Sequence, residues 1–155
     1  AHLSEGPCVL RPPRWSKNNP IDCAGGETRD TVPDVMALCA NHPEVHSIVY
    51  LGLGIQSNQA RMMREGKFFP DHGLERIVGY HERQDARFAE AAHELSVATG
   101  KPILTCTELA LADPDNAGPA TVRATGRLCY SSGGQAVTAL GHMVRHQAFR
   151  QARGR

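Results

Sequence analysis

The residues whose types and spacing could do chemistry in this chain gather in one stretch, Gly52-Leu53-Gly54-Ile55-Gln56-Ser57. The apolar run from Val45 to Leu51 leads into it and reads as a strand buried on both faces, and Ser57 with Asn58 reads as the opening of a helix. A helix N-terminus at the carboxyl end of a strand collects unpaired backbone N–H groups and the positive end of the helix dipole. That combination holds anions such as phosphate or carboxylate. Gly52 and Gly54 have no Cβ, so an anion could approach the backbone closely. The stretch is not a dinucleotide fingerprint, because Ser57 stands where G-x-G-x-x-G needs its last glycine. An ordinary strand-to-helix turn without a ligand is the competing reading.

Asn19-Pro20-Ile21-Asp22-Cys23-Ala24-Gly25-Gly26 reads as a short strand running into a second glycine-punctuated loop. Other reactive types are explained more simply. Cys39, His42 and His46 have metal-compatible types, and His142 and His146 lie four apart on a helix, but neither set has a fourth ligand nearby. No metal site is expected. Ser131 and Ser132 lack the glycine two residues earlier that a nucleophile elbow requires, and a helix cap accounts for them. The catalytic set is therefore empty.

These residues need elements to position them. A length of 155 residues suits one domain with a substantial core. A formal charge of +1 supplies no field for nucleic acid, and aromatics at 5% are too few for a base-stacking platform. No apolar run reaches the roughly 20 residues of a spanning helix, so no membrane contact is expected. Cys8, Cys23, Cys39, Cys106 and Cys129 are scattered and odd in number, which suits reduced thiols in a cytoplasmic protein.

Residues 1–18, with Pro7, Pro12 and Pro13, read as a linker or lead-in, as in a piece of a longer protein. Residues 19–150 read as the domain, and 151–155 as a basic tail. Val32, Val35, Met36 and Cys39 repeat at helical spacing, with Pro33 in the first turn. The helix opened at Ser57 should close at Gly66, and Lys67 to His81 should be a loop that packs on its own domain or docks a partner. A helix from Glu82 to Thr99 shows Phe88, Ala91, Ala92, Leu95 and Ala98 on one face, and Gly100 closes it. Pro102–Thr107 is a second strand, and Asp113–Gly118 a polar turn. A short helix through Ala120–Ala124 and a strand Arg127–Tyr130 follow. Ser132 caps a last helix whose stripe is Val137, Leu140, Val144 and Ala148. This alternation predicts an α/β fold, a mostly parallel sheet with helices on both faces and ligands at the carboxyl ends of its strands. A phosphoreceiver is disfavoured because it needs an aspartate ending the central strand, and the run before Gly52, read as that central strand, ends in glycines. A flavin-binding flavodoxin is disfavoured because Ala24-Gly25-Gly26-Glu27 carries an acid where hydroxyls are needed.

On Asn19-Pro20-x-Asp22 with its glycine turn and Thr28, on Asn41-His42-Pro43, on Ser47 to Gln59, on Gly100-Lys101-Pro102-Ile103-Leu104 and on Ser131 to Leu140, the chain resembles the NDP-forming (ADP-forming) acyl-CoA synthetases, the superfamily of succinyl-CoA ligase. The resemblance covers roughly Asn19 to Arg150. It implies a three-layer flavodoxin-like domain, the second of that family's two ligase domains. It also implies that the Gly52, Gly54, Ile55, Gln56 and Ser57 turn faces phosphate, helping to position a phosphohistidine or acyl phosphate formed on a companion domain. Asn19, Asp22, Gly25 and Gly26 would shape the neighbouring loop. Phosphoryl transfer depends on positioning and on electrostatic stabilisation of oxygens, which a helix end supplies. The chain carries no histidine in a glycine-rich phosphoacceptor loop, no ATP-grasp sequence and no CoA-binding Rossmann fingerprint. The implied enzyme is thus an acid–thiol ligase in which this domain is not catalytic alone and binds no cofactor tightly. CoA and ATP or ADP with Mg belong to the full enzyme, and the implied partners are its CoA-binding, phosphohistidine and ATP-grasp domains or subunits, with a homodimer as a further option. The alternative from another class is a non-catalytic flavodoxin-like binding or assembly module.

Overall fold

A computed structural model of the chain describes residues 16, 18–23 and 29–154. The 1–18 lead-in and the Gly25-Gly26 turn therefore lie wholly or mostly outside the described residues. The chain divides into two compact units, Ala1–Ile48 with Ala91–Ile103, and Val49–Glu90 with Leu104–Arg155.

In the first unit, a 3-10 turn Arg29–Thr31 leads into helix α1 (Val32–Asn41). Pro33 sits in its first turn as the spacing predicts, where a missing N–H costs nothing. Met36, Cys39 and Ala40 are buried. Lys101 fastens this helix at its far end: its Nζ donates to Ala40 O at 2.6 Å and His42 O at 2.8 Å. An ammonium there meets carbonyls without a helical partner and the negative end of the dipole. Ser96 Oγ donates to Lys101 O at 2.8 Å, and Gly100 has the positive φ of 67° that ends a helix.

The chain carries a parallel three-stranded sheet flanked by helices, the flavodoxin-like α/β arrangement. Its strands are β1 (Ile48–Leu51), β2 (Ile103–Cys106) and β3 (Cys129–Tyr130), in the order β1-β2-β3. The strands β2 and β3 pair in parallel, Thr105 beside Cys129 and Cys106 beside Tyr130. All four residues of β2 are buried, as a strand covered on both faces requires. The run before Gly52 was expected to be that strand, and this is a correction: β1 lies at an edge of the sheet, half-buried, with Leu51 exposed. An apolar run specifies a strand, whereas its place in the sheet follows from pairing. Leu104, Cys106 and Ala136 form a core cluster joined by Val49, Tyr130 and Leu140.

The helices are α2 (Ile55–Arg64), α3 (Leu74–Thr99), α4 (Leu109–Ala112), α5 (Ala117–Ala124) and α6 (Gly133–Ala152). Two boundaries correct the expectations. Helix α3 starts at Leu74, because Leu74, Val78, His81, Asp85 and Phe88 continue the helical stripe through Gly79, so only the first half of the Lys67–His81 segment is non-helical. Helix α5 starts at Ala117, and Asn116 is its cap. The stripe on α6 is also shifted: Ala136 is buried and Leu140 packs beside it, while Val137 and Val144 are 58% and 62% exposed. Among the described residues no helix is long and apolar enough to cross a membrane.

Candidate functional site

The Gly52–Ser57 turn forms where β1 hands the chain to α2. Gly52 and Gly54 have φ of 85° and 95°, left-handed conformations in which a side chain is strained. Leu53 between them is fully buried and anchors the turn. Gly54, not Ser57, is the N-cap of α2, and it supplies no side chain to receive the helix's first N–H groups.

That role is filled from elsewhere in the unit. Asp85, on α3 and only 1% exposed, accepts from Gly54 N at 2.8 Å and from Ser57 N at 2.6 Å. A buried carboxylate therefore rests against the positive end of α2, and charge-assisted hydrogen bonds hold it there. Asn116 closes the other side. Its Nδ2 donates to Gly54 O at 3.1 Å, and its Oδ1 accepts from Gly118 N at 3.1 Å.

Packing confirms that the turn is filled. A Cβ on Gly54 would stand 2.8 Å from both Asn116 Oδ1 and Leu109 Cδ1. One on Gly118 would stand 2.8 Å from Leu53 Cγ and 3.0 Å from Gly54 N. The two glycines let the turn and the start of α5 touch backbone to backbone. Gln56 is buried and its Oε1 pairs with His81 Nδ1. Ser57 Oγ is buried with no hydrogen-bond partner among the described residues. Ile55 is half exposed and lies on the rim.

The structure thus brings Gly52, Gly54, Ile55, Gln56 and Ser57 together, but with a different duty at two of them. The amides of Gly54 and Ser57, expected to face phosphate, face Asp85 instead, and a second anion there would have to displace a buried carboxylate. Asn19 and Asp22 belong to the first unit, where Ser16 N donates to Asp22 O at 3.0 Å, while the turn belongs to the second. Gly25 and Gly26 lie outside the described residues.

Sequence reasoning missed Asp85, Asn116 and Gly118. Asp85 had a signal, an acid seven residues after Val78 and three before Phe88 on the apolar stripe of α3. Asn116 had one too, as an Asn at a helix start.

The remaining reactive types are quiet. Burial pushes the Cys106 thiol up, with Cys129 adding to it. Cys129 is also raised by burial, against a Thr105 hydrogen bond and the Arg123 charge that lower it. Neither thiol is disposed to ionise. Among the described residues no group of three or more His, Cys, Asp or Glu side chains is placed to hold a metal. Ser132 caps α6, accepting from Gln135 N at 3.3 Å. An open depression of about 570 Å³ lies beside it, lined by Tyr130, Ser132, Gln135, Thr138 and His142.

The chain is an α/β protein with a parallel three-stranded sheet of the small flavodoxin-like kind. Comparison with protein-family models, with curated proteins and with solved structures finds no match in any of the three.

Proposed function

We propose that the chain acts as the second flavodoxin-like ligase domain of an NDP-forming acyl-CoA synthetase, contributing to acid–thiol ligase chemistry in the cytoplasm only beside companion domains. The observation that carries the reading is the order of its resembling motifs on the fold. Asn-Pro-x-Asp precedes α1, the glycine turn joins β1 to α2, Gly-Lys-Pro leads into β2, and the Ser131–Leu140 segment leads from β3 into α6. Lys101 of the Gly-Lys-Pro segment holds the end of α1, which gives that motif a structural reason.

CoA and ATP or ADP with Mg fall to the CoA-binding, phosphohistidine and ATP-grasp partners. Asp85 already occupies two of the amides a phosphate would use. The test is reconstitution: the 155-residue chain is added to the separately produced companion domains of its parent protein, and ATP-dependent acyl-CoA formation is followed. The reading expects turnover only with the chain present. Equal turnover without it would overturn the reading.

One observation favours the second reading, a non-catalytic binding or assembly module. The buried Asp85 carboxylate neutralises the helix end that would otherwise attract a phosphohistidine. Under it, the chain would be needed for assembly of the companions, while substitutions along the Gly52–Ser57 turn that keep the fold would leave turnover unchanged.

A further inference from the structure

The α6 segment concentrates positive charge. From Ser131 to Arg155 the sequence has four arginines and no Asp or Glu, so the other 130 residues hold 13 basic and 16 acidic side chains. The total of +1 conceals a cationic helix on an otherwise mildly acidic chain. Arg145, Arg150 and Arg153 are exposed and take no part in the two ion pairs of the described residues, Arg61–Asp113 and Arg64–Glu82. Like charges three apart, as at Arg150 and Arg153, weaken a helix, and α6 has no acid to offset them.

These cations share a side with the depression at the start of the helix. Gln135, Thr138, His142, Arg145, Phe149 and Arg153 recur at intervals of three, four, three, four and four residues, which keeps them in one stripe. Arg150 flanks it. The first half of the stripe is a wall of the depression of about 570 Å³, whose polar side chains are hydroxyl, amide or imidazole without a carboxylate. That volume suits a small organic group. In the second half, Phe149 is 52% exposed, and the Arg153 guanidinium carbon stands 4.3 Å from its ring centre. Arg145 Nη2 pairs with His142 Nδ1 at 3.1 Å, which joins the two halves.

We propose that this stripe binds single-stranded nucleic acid. The arginines meet successive phosphates, Phe149 stacks on one base, and the depression beside Tyr130 receives another. A duplex keeps its bases stacked and can use neither feature. A membrane helix sets its large apolar residues opposite its cations, whereas here Phe149 lies among them and the far side holds Val137, Gly141, Val144 and Ala148. An acidic partner helix would need an apolar seam bordered by cations, and that seam faces away from the arginines. This inference does not rest on the ligase reading.

The test titrates the 155-residue chain into fluorescein-labelled oligouridylate and follows anisotropy, with the oligouridylate–oligoadenylate duplex, polyglutamate and phosphatidylglycerol vesicles as comparisons. The single strand should bind saturably and best, losing roughly twentyfold in affinity between 50 and 200 mM salt, as about three phosphate contacts require. Arg150→Gln with Arg153→Gln should flatten that loss to about threefold. Phe149→Ala should weaken binding about tenfold without changing the salt dependence, and Phe149→Trp should retain it. Thr138→Glu, which places a carboxylate in the depression, should weaken it, while Val144→Gln on the far side should not. Unchanged circular dichroism and thermal midpoints establish that the variants fold. No saturable binding, equal or tighter binding of the duplex, polyglutamate or vesicles, or a Val144→Gln loss as large as that of Phe149→Ala would overturn the proposal.

Discussion

Two helix starts in the second unit, those of α2 and α6, solve the same problem in opposite ways. Each must satisfy backbone N–H groups that have no partner within the helix. At α6 the answer is local: Ser132, the preceding residue, accepts from Gln135 N in the open. At α2 the preceding residue is Gly54, and the acceptor is Asp85, 31 residues on from Gly54 in the sequence and buried. A local cap can be lost with little consequence because water replaces it. A buried cap cannot, since its loss strands two amides away from water.

The largest effect should come from Asp85→Ala, which leaves Gly54 N and Ser57 N without their acceptor and should lower unfolding free energy by about 3–4 kcal/mol in urea titration. Asp85→Asn keeps one acceptor oxygen and should cost roughly half of that. Equal and small losses for both would mean that α2 does not depend on this cap. Gly118→Ala should come next, at about 2 kcal/mol, because its Cβ meets Leu53 and the Gly54 backbone and neither has room to give. Lys101→Met, in the first unit, keeps the stem but removes both bonds to the end of α1, and should cost about 1–2 kcal/mol by the same measurement. Ser132→Ala should be smallest, at about 1 kcal/mol or less. A Ser132→Ala loss as large as that of Asp85→Ala would erase the distinction between the two helix starts.

The same contrast explains what the sequence disclosed. Signals confined to a few neighbouring residues were legible: Pro33 at the start of α1, Gly100 past the end of α3, Ser132 before α6, and the alternation of apolar runs that makes an α/β sheet. The glycine turn was legible as a turn, because Gly52 and Gly54 need positive φ. What fills it was not, because Asp85 reaches Gly54 only through the packing of α3, and in sequence it is one acid among several on that helix. The edge position of β1 was hidden for the same reason. The early start of α3 was obscured by Gly73 and Gly79, which look like breakers although Gly79 lies inside the helix with space around it.

The central claim, that Asp85 and not an outside anion occupies the start of α2, is tested most directly by titrating the ¹⁵N-labelled chain with inorganic phosphate and following the Gly54 and Ser57 amide resonances. They should stay in place across the titration. A saturable shift of both resonances in the unaltered chain would show that phosphate takes those amides, and would contradict it.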